Sequence, residues 1–519
     1  MIFDRKALQS IALCAALATA LFDGRNSLGQ TTHSNGQPEN IEIRDGWRNE
    51  RSGEILVMHR NLEISPAAEP SPAFSIQLLP NSYEVEDGNA ALFYLQALGG
   101  MEQTYTEIAV VEFKRQYREK ASKSGGEIYD FPPFSWLKTA PSDLPLPEVN
   151  AYLNLTTYQP QYLQKAWTRK TCDFERRLHE VESPADVILP EVQEMRDLAR
   201  NQSLRFRVAI AENRLGDAIE IFGQQLAIAN HLSQEPFLVS NLVGLACAGI
   251  GWADAFYLIE LPDSPNIYWA LAALPKPLLN IRYSLAYERD FLFEQFDVLK
   301  EVDNAQKPDG YWQNFVDRFV SQFGEYLLSD KLPSAEDDRK AYVVTAIALA
   351  YPGAKKYLLD VILLEKSTVD SLPTTHVVFL AMKRFHERQR DELAKLQFLP
   401  YESIENVSRQ LDAKLAGVGE TYGIFALFAV EFNAGFKQAL SAQARLEQQL
   451  GLLQTIESIR HHMANNDNSL PQKLSALELP APNEPTTGKP FAYEMKDGEA
   501  ILSSTLNMGM KYEIRLIPR

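Results

Sequence analysis

The chain has 519 residues with a hydrophobic fraction of 45% and a formal net charge of −17. It is long enough for a large core or for two or three domains, and its apolar content excludes a globally disordered chain. The acidic balance, without a compensating Lys/Arg cluster, argues against nucleic acid and anionic membrane surfaces as partners, because basic patches supply most of that affinity.

The amino terminus reads as a secretory signal over 1–29. Arg5 and Lys6 form a charged start, Ala7 to Leu21 an apolar core, and Ala18-Thr19-Ala20 a small-x-small cleavage site, with Ser27-Leu28-Gly29 as a second. Cys14 lies inside that core, so removal of the signal leaves Cys172 and Cys247, which an oxidising compartment permits but does not oblige to pair. The composition of 30–75 is polar and broken by Gly and Pro, and predicts an arm or linker with Glu54 to Met58 as a lone strand.

Helical grammar starts near Leu78 and fills 76–420. Asp87-Gly88-Asn89 caps a helix of Ala90 to Leu98, and a second runs from about Glu102 to Lys123. Phe131 to Pro147 is too rich in proline for a regular element, and helices resume to Arg177 and from Leu189 to Arg214. Ala211 to Ala229 has the small-residue placement of a tetratricopeptide-like helix pair, although further regular copies are absent. Phe237 to Ile259 is apolar enough to span a bilayer, but Asn241 and Asp254 interrupt it and favour a core helix. Cys247, between two alanines in that run, reads as a small buried hydrophobe.

Ser264 and Pro265 open a short helix to Leu274, and Pro277 opens another with Leu278, Ile281, Leu285, Leu292 and Phe296 on one stripe. Arg282, Glu288 and Arg289 border that stripe and are the candidate ligand-binding residues, the other use of such charges being ion pairs that dock helices. Further helices are expected at 311–328, 336–350 with a break at Pro352-Gly353, 354–364, 376–396 and 402–415. Gly417 and Gly419 then precede a long helix, Thr421 to Met463. Three alternating runs, Phe491 to Met495, Glu499 to Ser503 and Lys511 to Ile517, predict a three-stranded antiparallel sheet in a module of 421–519. The expected fold is therefore mainly α, an irregular tetratricopeptide-like array of helical hairpins with a small carboxy-terminal α+β module.

Among the eight histidines only His461 and His462 are adjacent, and adjacent side chains leave a helix on different faces, so no metal site is expected. A phosphate loop, dinucleotide fingerprint, nucleophile elbow and Cys-x-x-Cys are all absent from the sequence, so no cofactor is expected.

The stretch PDSPNIYWALAALPKPLLNIRYSLAYER, with LLPNSYEVEDGNAALFYLQAL, TCDFERRLHEV, LVGLACAGI, YPGAKKYLL and PTTGKPFAYEMKDGEAIL, resembles a family of secreted, uncharacterised proteins from planctomycete-type bacteria. The resemblance implies a secreted, periplasmic or envelope location and brings no catalytic residues. The long helix, proline-rich loop and small sheet at the carboxy terminus resemble the globular end of type II secretion pseudopilins, although here the helix follows a large domain. The function expected is a non-enzymatic envelope scaffold that binds another protein. The alternative is a hydrolase or lyase acting on an extracellular polymer, with Arg282, Glu288 and Arg289 near its cleft.

Overall fold

The computed structural model describes residues 42–519 except 45, 54, 100–104, 126–129, 181–186, 188, 325–335, 423–433 and 508. The expected signal segment, 1–29, lies outside the described residues. Two compact units divide the chain: 42–175, 189–281 and 441–519 belong to one, which mixes sheet and helix, and 176–188 with 282–440 belong to the other, which is helical.

The mixed unit holds a six-stranded sheet of β1 (Glu42–Arg44), β2 (Trp47–Ser52), β3 (Ile55–Ile64), β6 (Ala492–Lys496), β7 (Glu499–Ser503) and β8 (Met510–Pro518), in the order β1-β2-β3-β8-β7-β6. Two further strands, β4 (Glu86–Asn89) and β5 (Arg169–Thr171), pair in parallel elsewhere. The carboxy-terminal strands form where period-two alternation places them, but the expected three-stranded antiparallel sheet is wrong. One side of β8 pairs with β7, and the other pairs in parallel with β3 from Leu56↔Met510 to Ile64↔Pro518. The reason is physical: β8 would otherwise present an unpaired row of backbone groups, and residues 42–64 of the segment expected as an arm cover it.

Alternation directs one face inward. Leu56, Arg60, Leu62 and Ile64 of β3 are buried, as are Met510, Tyr512, Ile514 and Leu516 of β8. Trp47 stacks on Trp252 at 5.2 Å and meets Phe256 edge-on, and Tyr512 completes the group. Arg60 enters this aromatic cluster, 5.0 Å from the Phe256 and Tyr257 rings, and its Nη2 donates to Glu260 at 3.2 Å. A buried guanidinium is tolerated because the rings and the carboxylate replace its water. Gly46, at φ +74°, turns the chain beside it, where a Cβ would come within 2.8 Å of Arg60 Nη1.

Three helices, Pro190–Ala211, Leu215–Leu232 and Leu238–Ile259, pack on one another. The last is long and apolar enough to cross a membrane by length and composition, yet it is mostly buried inside the protein. Its two polar interruptions have uses there. Asn241 Nδ2 donates to the carbonyls of Leu232, Glu235 and Phe237, and Asp254 accepts from Arg207. Cys247 is fully buried as expected, and neither it nor Cys172 is in a disulfide.

Gly223, in the middle of Leu215–Leu232, lets that helix touch the backbone of Leu78, whose carbonyl also accepts Trp167 Nε1 at 3.0 Å. A Cβ there would collide with the Leu78 carbonyl oxygen. Gly223→Ala is expected to cost about 1–3 kcal/mol, as overpacking against backbone does. Gly216→Ala in the same helix, where nothing lies within 4 Å, should be neutral or slightly stabilising. Urea unfolding of both variants checks the pair; equal effects would refute the close-approach account.

Several expected boundaries move. The helix expected from Pro277 begins only at Arg282. Side chains take the backbone groups of the turn before it: Leu278 N–H donates to Glu447, Asn230 donates to Leu278 O, and Gln443 donates to Leu279 O. The helix expected from Pro265 begins at Tyr268, whose N–H donates to Asn266 Oδ1, while the Ser264 hydroxyl accepts from Arg460. In the helical unit, Glu336–Asp360 runs on through Pro352, and Tyr401–Tyr422 through Gly417 and Gly419. The long helix is described as Ala434–Asn465, and its expected start over 423–433 lies outside the described residues. Phe315, Phe319, Tyr357, Phe379 and Phe385 anchor the core of the helical unit.

Candidate functional site

The residues singled out from the sequence lie on the Arg282–Gln295 helix of the helical unit. Arg282 is exposed, with its guanidinium 5.6 Å from the Phe398 ring. Arg289 is half-buried and forks onto Asp290, with Nη2 at 2.6 Å and Nε at 3.2 Å, and Asp290 accepts in turn from Arg390 at 3.2 Å. Glu288 is half-buried on the same helix. Arg282 thus lies against a ring, and Arg289 is paired with a carboxylate.

A more concentrated group lies in the mixed unit, on the Pro190–Ala211 helix. Asp197, Arg200, Asn201 and Leu204 recur at three- and four-residue steps and so share one face. That face borders a shallow cleft with Lys114, Pro133, Phe134, Leu137 and Tyr152 as its other walls. Its free volume is about 10 Å3, room for roughly one water. Lys114 Nζ donates to one Asp197 oxygen and Arg200 Nη1 to the other, each at 2.8 Å. Burial pushes the Asp197 carboxyl up, but the two cations outweigh it and hold the group below the ordinary carboxylate range. The Arg200 guanidinium lies 5.4 Å from the Phe134 ring, and Tyr152 donates to Asn201 Oδ1 at 2.9 Å.

Behind the cleft the polar chain continues inward. Asn201 Nδ2 donates to Gln159 Oε1 at 3.3 Å, and Arg205 Nη1 donates to the same oxygen at 3.1 Å. Arg205 also donates to Gln202 Oε1 and to the carbonyl and hydroxyl of Thr156. All four of these bonds end on neutral oxygens, and burial lowers its pKa to about 10. Two cations, Lys114 and Arg200, therefore meet the Asp197 carboxylate, a local positive excess in an acidic chain.

Two other buried polar groups are closed on themselves. Arg207 pairs with Asp254 at 3.0 Å, and Ser203 and Gln225 donate to the same carboxylate. His231 Nε2 must donate to the Arg169 carbonyl at 2.9 Å, so its Nδ1 accepts from the Tyr94 hydroxyl at 2.7 Å, and burial holds this neutral ring near pKa 4. Among the described residues, no group of three or more His, Cys, Asp or Glu side chains could hold a metal ion.

The sequence reading passed over Lys114, Asp197, Arg200 and Arg205. The available signal was QEMRDLARNQSLRFR, a run in which charged and amide residues occupy every face of a helix long enough to be central. No protein-family model, curated protein or solved structure matches the chain.

Proposed function

We propose that the protein is a secreted or envelope-associated helical scaffold whose work is to bind another envelope protein. The observation that carries this reading is the Glu336–Asp360 helix of the helical unit. Ala341, Tyr342, Thr345, Ala348 and Leu349 share one helical face, and all five are exposed. Tyr342 is 52% exposed and Leu349 68%. A helix normally turns such an apolar stripe to a core, so an uncovered one is a surface suited to a partner.

The finer readings belong to the same proposal: tetratricopeptide-like pairing of the helices, kinship with the planctomycete-type secreted family, and a pseudopilin-like carboxy-terminal module. The Ala434–Asn465 helix followed by β6–β8 supports the last of these. We read Leu238–Ile259 as a core helix rather than a membrane span, since its Asn241 and Asp254 are engaged by protein groups.

A photo-crosslinking residue at Leu349 is expected to give one recurrent adduct in intact cells, and the same residue at Glu405, a position 80% exposed, should not. Tyr342→Asp should abolish the adduct while the fold is kept. The reading fails if both positions give the same pattern, or if the Leu349 position gives no reproducible adduct.

A further inference from the structure

We propose that the cleft walled by Lys114, Phe134, Tyr152, Asp197 and Arg200 is a binding site for a carboxylate group carried on a flat apolar body. Three observations lead there, none of which depends on the scaffold reading. The first is charge. Lys114 and Arg200 meet at the cleft, and Asp197 is the one carboxylate between them. An overall charge of −17 repels anions at long range, so an anion that binds must find a local excess of this kind.

The second observation is the nature of the internal anion. Asp197 accepts from a Lys on one oxygen and an Arg on the other, which is how a bound carboxylate would be held. The side chains of Lys114, Asp197 and Arg200 are 18%, 32% and 19% exposed, so solvent reaches this group and an incoming acid can compete for its donors.

The third observation is shape. Free room of about 10 Å3 admits one oxygen of an incoming anion, and the apolar wall beside it favours an anion with a flat apolar body over phosphate. The Phe134 ring, with Pro133 and Leu137, gives the rest of the ligand an apolar wall. The carboxylate can come from a free organic acid or from the carboxy terminus of a peptide, since both present the same two oxygens.

The test is calorimetric titration of the full chain with sodium benzoate, with sodium phosphate and sodium chloride as controls at matched ionic strength. Benzoate should bind saturably and more tightly than phosphate, and Lys114→Gln or Arg200→Gln should abolish its heat while circular dichroism stays unchanged. Asp197→Asn removes the internal competitor and should tighten benzoate about tenfold, a gain that a purely structural role would not produce. Because that arm reads a gain, loss of fold in the Lys114 variant leaves the test decisive. A dipeptide ending in phenylalanine, titrated as the free acid and as the amide, distinguishes the sources: binding by the acid comparable to benzoate admits a peptide terminus, and benzoate alone assigns a small acid. The proposal is overturned if benzoate gives no saturable heat with either the wild-type or the Asp197→Asn chain, if phosphate binds as tightly, or if both cation variants bind benzoate unchanged.

Discussion

Replacing Arg460 by methionine is expected to destabilise the mixed unit by about 3–5 kcal/mol, the usual consequence of stranding one member of a buried ion pair. Arg460 and Glu457 are both fully buried, one helical turn apart on the Ala434–Asn465 helix, with Nη1 to Oε1 at 2.8 Å. They also hold separate pieces of chain together. Arg460 donates to the carbonyl of Ser65 and to the carbonyl and hydroxyl of Ser264, and the other Glu457 oxygen accepts the Ile267 N–H at 3.2 Å. Asn266 bridges the carbonyls of Ala67 and Glu457. Burial raises the Glu457 carboxyl and Arg460 opposes that rise, so a chain without the arginine must bury an uncompensated charge or take up a proton. Urea unfolding should therefore show a deficit that shrinks as the pH falls, because protonation removes the stranded charge. The double variant Arg460→Met, Glu457→Leu should recover much of the loss. If single and double variants are equally destabilised at neutral pH, the backbone bonds of Arg460, rather than its charge pairing, carry the effect.

This clamp illustrates how much of the molecule was legible. Glu457 and Arg460 stand three residues apart in the sequence, a spacing at which side chains can pair along a helix. It does not reveal that the pair faces inward and that Ser264 and Asn266 supply its remaining partners, because those contacts join residues nearly two hundred positions apart. Helix existence followed from apolar periodicity, which is local. Boundaries failed where tertiary partners took over backbone groups, as Glu447, Gln443 and Asn230 do at 278–279.

The amino-terminal strands were hidden for a different reason. One face of β2 and β3 carries Arg48, Glu50, His59, Asn61 and Glu63, and even the inner face includes Arg60, so average composition resembles a linker. Two turn signals were present nonetheless: Gly46 directly precedes β2, and Gly53 follows the end of β2, two residues before β3. Weighing turn chemistry above composition would have found two of these strands, though not their parallel pairing with β8, which joins opposite ends of the chain. The charged cleft was missed because its walls come from three separate segments, near 114, 133–152 and 197–204, each unremarkable alone.

Glu447 should make the protein less stable as the pH rises from about 4.5 to 7, and Glu447→Gln should remove that slope. The side chain is part-buried on the Ala434–Asn465 helix and accepts the Leu278 N–H at 2.8 Å. Burial pushes its pKa from 4.5 up to about 7, against the smaller opposing pull of the Leu278 hydrogen bond and the Lys276 charge. The unfolded chain releases this proton near 4.5 while the folded chain retains it to about 7. Between those values folding is therefore proton-linked, and stability declines with rising pH. Above pH 7 the folded protein bears the full cost of a desolvated carboxylate, on the order of 1–3 kcal/mol. Glutamine keeps an oxygen for the Leu278 N–H and carries no charge. The variant should therefore match the wild type near pH 4 and exceed it above pH 7. Urea midpoints for both proteins across that range provide the check, since parallel curves would mean that Glu447 reaches solvent in the folded state. A variant less stable at every pH would mean instead that its carboxylate has a cationic partner stronger than Lys276.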